Sequence, residues 1–247
     1  MSSEDFRTKN LEAQPVSQGP YDGSGIELGR ATTIGGHVAD NSQYGFPIQH
    51  RKLAAPLPLG LFAFATTTFA LSMYNINARG VDVPNAIVSL ALVYGGATQW
   101  ICGVFEFVCG NTFGAVAFMT FGSFWLSYCV LLIPWFGVIS AFMVDGKLSP
   151  EFNQAVAIYL WAWFIVVFII ILASFKSSVA IVVTLVLVEI VILLLAIGNM
   201  NGNESIIKAG GAMGLATSAA AFYTGAAALL TPDLSYFQLP VGNMARA

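Results

Sequence analysis

Six long apolar segments follow one another through most of this chain, and they constrain its fold more than any other feature. Each is about as long as the ~20-residue helix that crosses a ~30 Å hydrocarbon core. The segments are Leu57–Ile76, Pro84–Val108, Phe113–Phe136, Phe152–Phe175, Val179–Gly198 and Ile206–Leu230. Because they are continuously apolar rather than alternating, helices are favoured over a β-barrel. The sequence therefore predicts an all-α membrane protein, a six-transmembrane-helix bundle.

Composition and residue usage exclude several classes of protein. Only 9% of the 247 residues are charged, whereas soluble domains have about 25%. The net charge of −3 comes with no basic stripe, so we expect no nucleic-acid partner. Both histidines, His37 and His50, precede the first span, which leaves no Ser/His/Asp set and no Cys/His metal site. No nucleotide-binding motif is present. We expect no enzyme, no catalytic residues, no metal and no cofactor.

The chain divides into three parts by composition. Residues 1–53 are polar, rich in Gly, Ser, Gln and Asn, and contain no apolar core, so we predict a disordered tail without a cleavable signal peptide. Residues 54–231 form the predicted membrane domain. Residues 232–247 form a short C-terminal tail. Gly110-Asn111-Thr112 predicts a tight hairpin between the second and third spans, and Pro134 should kink or end the third.

The distribution of basic residues gives a weak preference for orientation. With the N-terminus inside, four basic residues lie on the inner side and three on the outer side. The inner set is Arg51, Lys52, Lys176 and Arg246, and the outer set is Arg79, Lys147 and Lys208. We expect an integral protein of the plasma membrane with a cytoplasmic N-terminus.

Small and polar residues recur at helical spacing in the second and sixth spans. The stripes are Gly95, Gln99, Cys102 or Gly103, and Glu106, and then Gly210, Gly214, Thr217, Ala221 and Gly225. Small residues allow close helix packing in membranes, but they could also border a polar conduit. Gln99 should face the bundle interior, either as a bond between helices or as a lining of a pore. Asn75, Tyr94 and Thr217 are the other candidate lining residues.

Two acidic residues lie in the spans. Glu106 is near a helix end and could accept bonds from backbone N–H groups at the Gly110–Thr112 break, which favours a structural role. Glu189 lies near the middle of its span, where an ionised acid costs ~2.5–3.5 kcal/mol on insertion scales. It must be protonated, paired with a group from another span, or exposed to a wet cavity. It is either a proton-handling or charge-selecting group, or a buried neutral acid that forms hydrogen bonds.

Several motifs resemble those of the acetate uptake transporter family. The segment Ala55-Pro56-Leu57-Pro58-Leu59-Gly60-Leu61 is similar to its Asn-Pro-x-Pro-Leu-Gly-Leu signature. Further matches are Tyr94-Gly95-Gly96, Gln99, Glu106-Phe107, Gly110-Asn111-Thr112-Phe113-Gly114, Phe124-Trp125, Ala196-Ile197-Gly198-Asn199 and Lys208-Ala209-Gly210-Gly211. The resemblance covers about residues 54–242. The C-terminal end, from Leu230-Thr231-Pro232-Asp233, looks like the fungal branch of acetate or ammonia-outward transporters, which is related to bacterial acetate–succinate permeases.

The resemblance implies a ring of six protomers, each with its own path narrowed by apolar and aromatic side chains. By motif position, the family's constriction residues fall on Phe64, Phe121 and Val188. Phe121 replaces a tyrosine, Val188 replaces a leucine, and Glu189 stands where relatives carry a small neutral residue. Pro58, Gly60, Glu106 and Asn111 belong to the structural motifs.

Together these features predict a membrane transporter or channel for short monocarboxylates. Acetate, moving alone or with a proton, is the leading cargo, and succinate is a wider candidate. Two alternatives stay open: an exporter of ammonia or ammonium, which an acid near the constriction would suit, and an acetate-responsive membrane sensor or scaffold. Membrane lipid and further copies of the chain are the expected partners.

Overall fold

The computed structural model describes residues 54–81 and 83–244. The tail predicted over residues 1–53 lies outside the described residues, and so does Asp82. The division of the chain into a tail, a membrane domain and a C-terminal tail therefore stays a prediction.

Six helices in the described part of the chain are long and apolar enough to cross a membrane. They are α1 (Leu57–Asn75), α2 (Pro84–Val108), α3 (Thr112–Leu132), α4 (Glu151–Ser174), α5 (Val179–Met200) and α6 (Glu204–Leu229). This confirms the six-helix fold. Residues at the starts of α1, α3 and α5 border one cavity together with residues at the end of α4. Consecutive helices therefore run antiparallel, so α1, α3 and α5 begin at one end of the bundle, and α2, α4 and α6 end there. We call this the tail-side end and the opposite one the far end.

The third helix ends earlier than the apolar run predicts. It stops at Leu132, and Pro134–Phe136 form a 3₁₀ turn instead of a last helical turn. Proline has no N–H to donate and pushes the residue before it towards extended backbone, and Ile133 has ψ 119°. A helical turn at Val138–Ala141 follows, and then a small hairpin of β1 (Met143–Val144) and β2 (Lys147–Leu148).

The second helix is irregular in its middle. After a 3₁₀ turn at Pro84–Ala86 and a short α segment, residues Ala91–Thr98 form a π-helix before regular α-helix resumes. Gly95 lies in this stretch against α1, where a Cβ would lie 2.6 Å from Thr67 Oγ1. The missing side chain therefore allows α1 and α2 to approach closely, and π segments are common at functional sites.

Helix packing follows the small-residue stripes seen in the sequence. On α6, Gly214 lies against Ser72 of α1, and Gly210 lies against Leu195 of α5. The buried core runs through the middle of the bundle and includes Phe64, Phe121 and Val188. The close contacts around these glycines thus agree with their predicted role in helix packing.

The outward faces of the helices carry many large apolar side chains. Examples with more than half of their surface exposed are Val93, Phe105, Ile158, Ile165 and Ile169. A protein surrounded by water rarely exposes contiguous apolar surface of this kind. These faces suit contact with lipid or with another protomer.

Candidate functional site

Two cavities lie inside the bundle, one towards each end. The tail-side cavity has a volume of about 350 Å³ and is bordered by Leu57 at the start of α1 and by Lys176 after α4. The far cavity is much smaller, about 60 Å³, and is bordered by Asn75 at the end of α1 and by Trp163 of α4. The interior is therefore roomy on one side of the bundle and tight on the other.

Three residues border both cavities: Phe64 of α1, Phe121 of α3 and Val188 of α5. We call these three residues the neck. The rings of Phe64 and Phe121 have centroids 5.2 Å apart and an angle of 54° between their planes. All three side chains are more than nine-tenths buried. The structure thus brings together the residues that the family resemblance assigned to a constriction.

Gln99 borders the tail-side cavity, and its side chain has no hydrogen-bond partner among the described residues. Its side chain is fully buried, and neither its amide nitrogen nor its amide oxygen is bonded in the structure. A buried polar atom left unpaired costs ~1–3 kcal/mol. The described residues do not form the bond between helices that was one of the two interpretations from sequence, and Gln99 is among the residues that border the cavity.

Polar groups are also present in the far cavity, but most of its wall is aromatic or aliphatic. Thr217 borders it, and its hydroxyl already donates to the Met213 carbonyl at 3.0 Å. The Thr68 hydroxyl is buried there without a partner. Asn75 borders both this cavity and an open polar cleft of about 430 Å³ at the far end, next to Glu204 and Lys208. The three spaces thus share wall residues in series.

Tyr94 and Glu189 lie elsewhere. Tyr94 is half-buried in the π segment of α2 and is not among the residues that border either cavity. Glu189 is only 8% exposed, yet it borders neither cavity, and neither carboxylate oxygen has a hydrogen-bond partner among the described residues. It shares its buried face of α5 with Leu185 and Ile192. Of the three possibilities that the sequence left open, pairing with a group from another span is not seen among the described residues.

Glu106 is held by a side chain rather than by the backbone amides that we expected. The Asn111 Nδ2 donates to Glu106 Oε2 at 2.6 Å, while Asn111 Oδ1 accepts from the Gly114 N–H at 3.1 Å. Asn111 therefore caps α3 and binds the buried acid of α2 at the same time. A Cβ at Gly114 would lie 2.5 Å from Asn111 Nδ2, so the motif requires glycine there. The bond to Glu106 comes from the side-chain amide of Asn111, because this side chain is directed back towards α2.

Two further motif residues, Pro58 and Gly60, lie at the start of α1. Pro58 lies in the first turn of α1, and a Cβ at Gly60 would lie 2.7 Å from the Phe118 ring. The three cysteines are unpaired. Within residues 54–81 and 83–244, no cluster of three or more His, Cys, Asp or Glu residues could hold a metal ion.

A charged residue of the tail-side cavity was not singled out as a site residue from the sequence. Lys176 is the only charged residue among the described residues that border this cavity. Its signal in the sequence is its position in the short connection between two spans, where basic residues were counted only for orientation. Nothing in the sequence indicates that this connection borders a cavity.

Six helices that are long and apolar enough to cross a membrane, with two cavities that share wall residues inside the bundle, indicate an integral membrane protein of the transporter or channel class. Comparison with known proteins then assigns the family: the sequence profile of the GPR1/FUN34/yaaH family matches residues 38–246. The chain belongs to this family, and the prediction from its motifs is confirmed.

Relatives whose names state an activity support the assignment to the transporter or channel class. The chain is 37% identical over 193 residues to "Ammonia transport outward protein 2" of Saccharomyces cerevisiae, covering 78% of this chain and 67% of that protein. It is 35% identical over 203 residues to "Acetate permease A" of Emericella nidulans, covering 79% of this chain and 68% of that protein. The chain thus spans about two thirds of the length of these fungal relatives.

A solved structure has the same fold. The bacterial acetate channel SatP matches with a TM-score of 0.67 and 33% sequence identity, over 77% of this chain and all of that chain. The family members named here are transporters or channels rather than enzymes, in agreement with the prediction for this chain.

Proposed function

We propose that this protein is a membrane transporter or channel that passes short monocarboxylates, with acetate as the leading cargo. The observation that carries this proposal is that Phe64, Phe121 and Val188, and no other described residues, border both interior cavities. The printed names of an acetate permease and an acetate channel among its relatives support the choice of cargo.

The neck would select its cargo by the cost of losing water. Two aromatic rings and a valine offer no hydrogen bonds to a hydrated ion, and stripping a charged group of water is costly unless the protein replaces it. A small solute with a methyl group and only one polar end loses less hydration than a larger or doubly charged solute. Succinate should therefore pass more slowly than acetate.

Gln99, Asn75 and Thr217 act in this proposal as polar guides on the two sides of the neck. Gln99 is supported most strongly, because its buried amide is unpaired and borders the tail-side cavity. Asn75 is supported by its position between the far cavity and the open cleft. Tyr94 borders neither cavity and keeps only its place in the family motif.

Glu189 is proposed to handle a proton or to select charge beside the neck. Its support is its place directly after Val188 and the absence of a described hydrogen-bond partner for its carboxyl group. The test is labelled-acetate uptake at pH 5 and pH 7 with the wild-type protein and with Glu189→Gln. We expect the variant to lose part of the dependence of uptake on pH, and unchanged uptake at both values would remove this role.

Export of ammonia or ammonium is the second candidate. It is favoured by the name of the yeast relative and by an acid next to the neck, since a carboxylate suits a cation better than an anion. Purified protein in liposomes, tested with acetate, succinate and ammonium one at a time, separates the two. Acetate flux without ammonium flux supports the first proposal, and the reverse result replaces it with the second.

The last part of the proposal concerns the number of copies in the complex, the membrane that holds it and its orientation there. The exposed apolar faces of the helices are consistent with a homohexamer in which protomers and lipid cover them, in the plasma membrane, with a cytoplasmic N-terminus. The mass of the detergent-solubilised complex tests the number of copies, and protease access to residues 1–53 in sealed vesicles tests the orientation.

A further inference from the structure

The N-terminal end of α5 is capped by a segment that lies more than sixty residues later in the chain. The first N–H groups of a helix have no acceptor within the helix. Here the Val179 N–H donates to the Gly242 carbonyl at 2.8 Å, and the Ala180 N–H donates to the Val241 carbonyl at 3.1 Å. The next N–H, of Ile181, donates to the Ser178 hydroxyl at 3.3 Å. The C-terminal segment thus supplies two caps that the local sequence does not.

The same segment also pairs with the connection between α4 and α5. The Met244 N–H donates to the Ser177 carbonyl at 3.0 Å, and Ser178 and Asn243 form an antiparallel bridge. At its other end, the Tyr223 hydroxyl donates to the Pro240 carbonyl at 2.6 Å. We call Pro240–Met244 the strap, because it is fixed to α6 at one end and to the α4–α5 connection at the other.

Gly242 is the position on which this contact depends. Its φ of +66° is a conformation that favours glycine, and a Cβ there would lie 2.9 Å from Val179 Cγ2. Any larger residue would strain the backbone and push the strap away from α5.

The connection held by the strap borders the tail-side cavity. Lys176 and Ser177 both line it, and Lys176 is the only charged residue among the described residues that do. The strap therefore contacts the same short stretch of chain that borders the cavity. Because the Met244 N–H of the strap holds the carbonyl of Ser177, the neighbour of Lys176, moving the strap should shift Lys176.

We propose that Lys176 is a specificity-determining residue that draws carboxylate anions into the tail-side cavity, and that the strap is its positioning element. This proposal rests on the proposed function as a carboxylate transporter. A cation at the mouth of a low-dielectric cavity raises the local concentration of anions and speeds their arrival. It acts on capture and not on passage through the neck, so its removal should raise KM and leave kcat almost unchanged.

The experiment uses the full chain in liposomes and four variants. Lys176→Gln removes the charge, Lys176→Arg keeps it, and Gly242→Ala displaces the strap. The matched control is Gly146→Ala, at a glycine with φ +74° and no atom within 4 Å of an added Cβ, so it has similar backbone strain without the contact. We expect Lys176→Gln and Gly242→Ala each to raise the KM for acetate about fivefold. Lys176→Arg and Gly146→Ala should keep a KM for acetate near that of the wild-type protein.

Two further readouts separate positioning from mere destabilisation. The double variant Lys176→Gln with Gly242→Ala should have the KM of Lys176→Gln alone, because the strap acts through the lysine. Amide hydrogen exchange at Val179 and Ala180 should speed up in Gly242→Ala and not in Gly146→Ala. Additive KM effects, or faster exchange with an unchanged KM, would overturn the positioning role, and an unchanged KM in Lys176→Gln would overturn the role of the charge.

Failure of the proposed function has a different signature. If wild-type protein carries ammonium and no acetate, the carboxylate cargo is wrong and Lys176 loses the role given to it here. The exchange measurement still decides whether the strap holds the connection, because it needs no transported solute.

Discussion

The two interior cavities differ in size and in chemistry, and the neck between them is their only shared wall among the described residues. The tail-side cavity is about 350 Å³, and its mostly apolar wall includes an unpaired amide and a lysine. The far cavity is about 60 Å³, and the polar residues in its mostly apolar wall are all uncharged. In the proposed path, a solute would find space and a charged group on the tail side, and it would have to lose water to cross the neck. The helices alone would not reveal this asymmetry, since all six are apolar.

The largest effect should come from filling the neck. Phe64→Trp adds a second ring where two aromatic rings already lie 5.2 Å apart, so we expect acetate flux in liposomes to fall about a hundredfold, a rise of ~2.7 kcal/mol in the barrier. Phe69→Trp is the matched control on α1, because Phe69 is 45% exposed and borders neither cavity. Equal flux in the two variants would show that the cavities are not joined through the neck.

A smaller effect, on stability, should follow the loss of the Asn111 side chain. Asn111→Ala removes the α3 cap, worth ~1 kcal/mol, and also leaves Glu106 in the protein interior without its amide partner, for which we expect a further ~1 kcal/mol or more. The free energy of unfolding should fall by about 2 kcal/mol in mixed micelles. Asn203→Ala is the control, since Asn203 caps α6 through Ser205 and Ile206 at an exposed site without a buried acid. The same loss in both variants would remove the contribution of Glu106.

Much of this fold, but less of the site, could be predicted from the sequence. The bilayer fixes the length of a crossing helix, so six apolar runs give six helices, and Pro134 marks where the third must end. Phe64, Phe121 and Val188 were found only through family motifs, because nothing in their spacing shows that three different helices bring them together. The partnerless state of Glu189 and the Asn111–Glu106 bond depend on side-chain geometry. The pairing of Ser178 with Asn243 depends on a long-range contact, and no local pattern encodes it.

A substitution at Gln99 tests whether the tail-side cavity binds solute. Gln99→Leu removes an amide that has no partner, so stability should not fall, while acetate flux should fall about fivefold, or ~1 kcal/mol. Gln154→Leu should show the opposite pattern, because the Gln154 amide donates to the Met200 carbonyl at 2.7 Å away from both cavities. Loss of stability without loss of flux in Gln99→Leu would make Gln99 a structural residue.

The smallest effect should come from the far cavity. Thr217→Val keeps the shape of the side chain and removes a hydroxyl that is already bonded to the Met213 carbonyl of its own helix at 3.0 Å. A hydroxyl satisfied in this way has little to offer a passing solute, so acetate flux should change by less than about twofold, or ~0.4 kcal/mol. Thr68→Val is the comparison variant, because the Thr68 hydroxyl borders the same cavity and has no hydrogen-bond partner there. If Thr217→Val lowers flux as much as Gln99→Leu does, the proposed contrast between the two sides of the neck is wrong, and both sides must bind the solute.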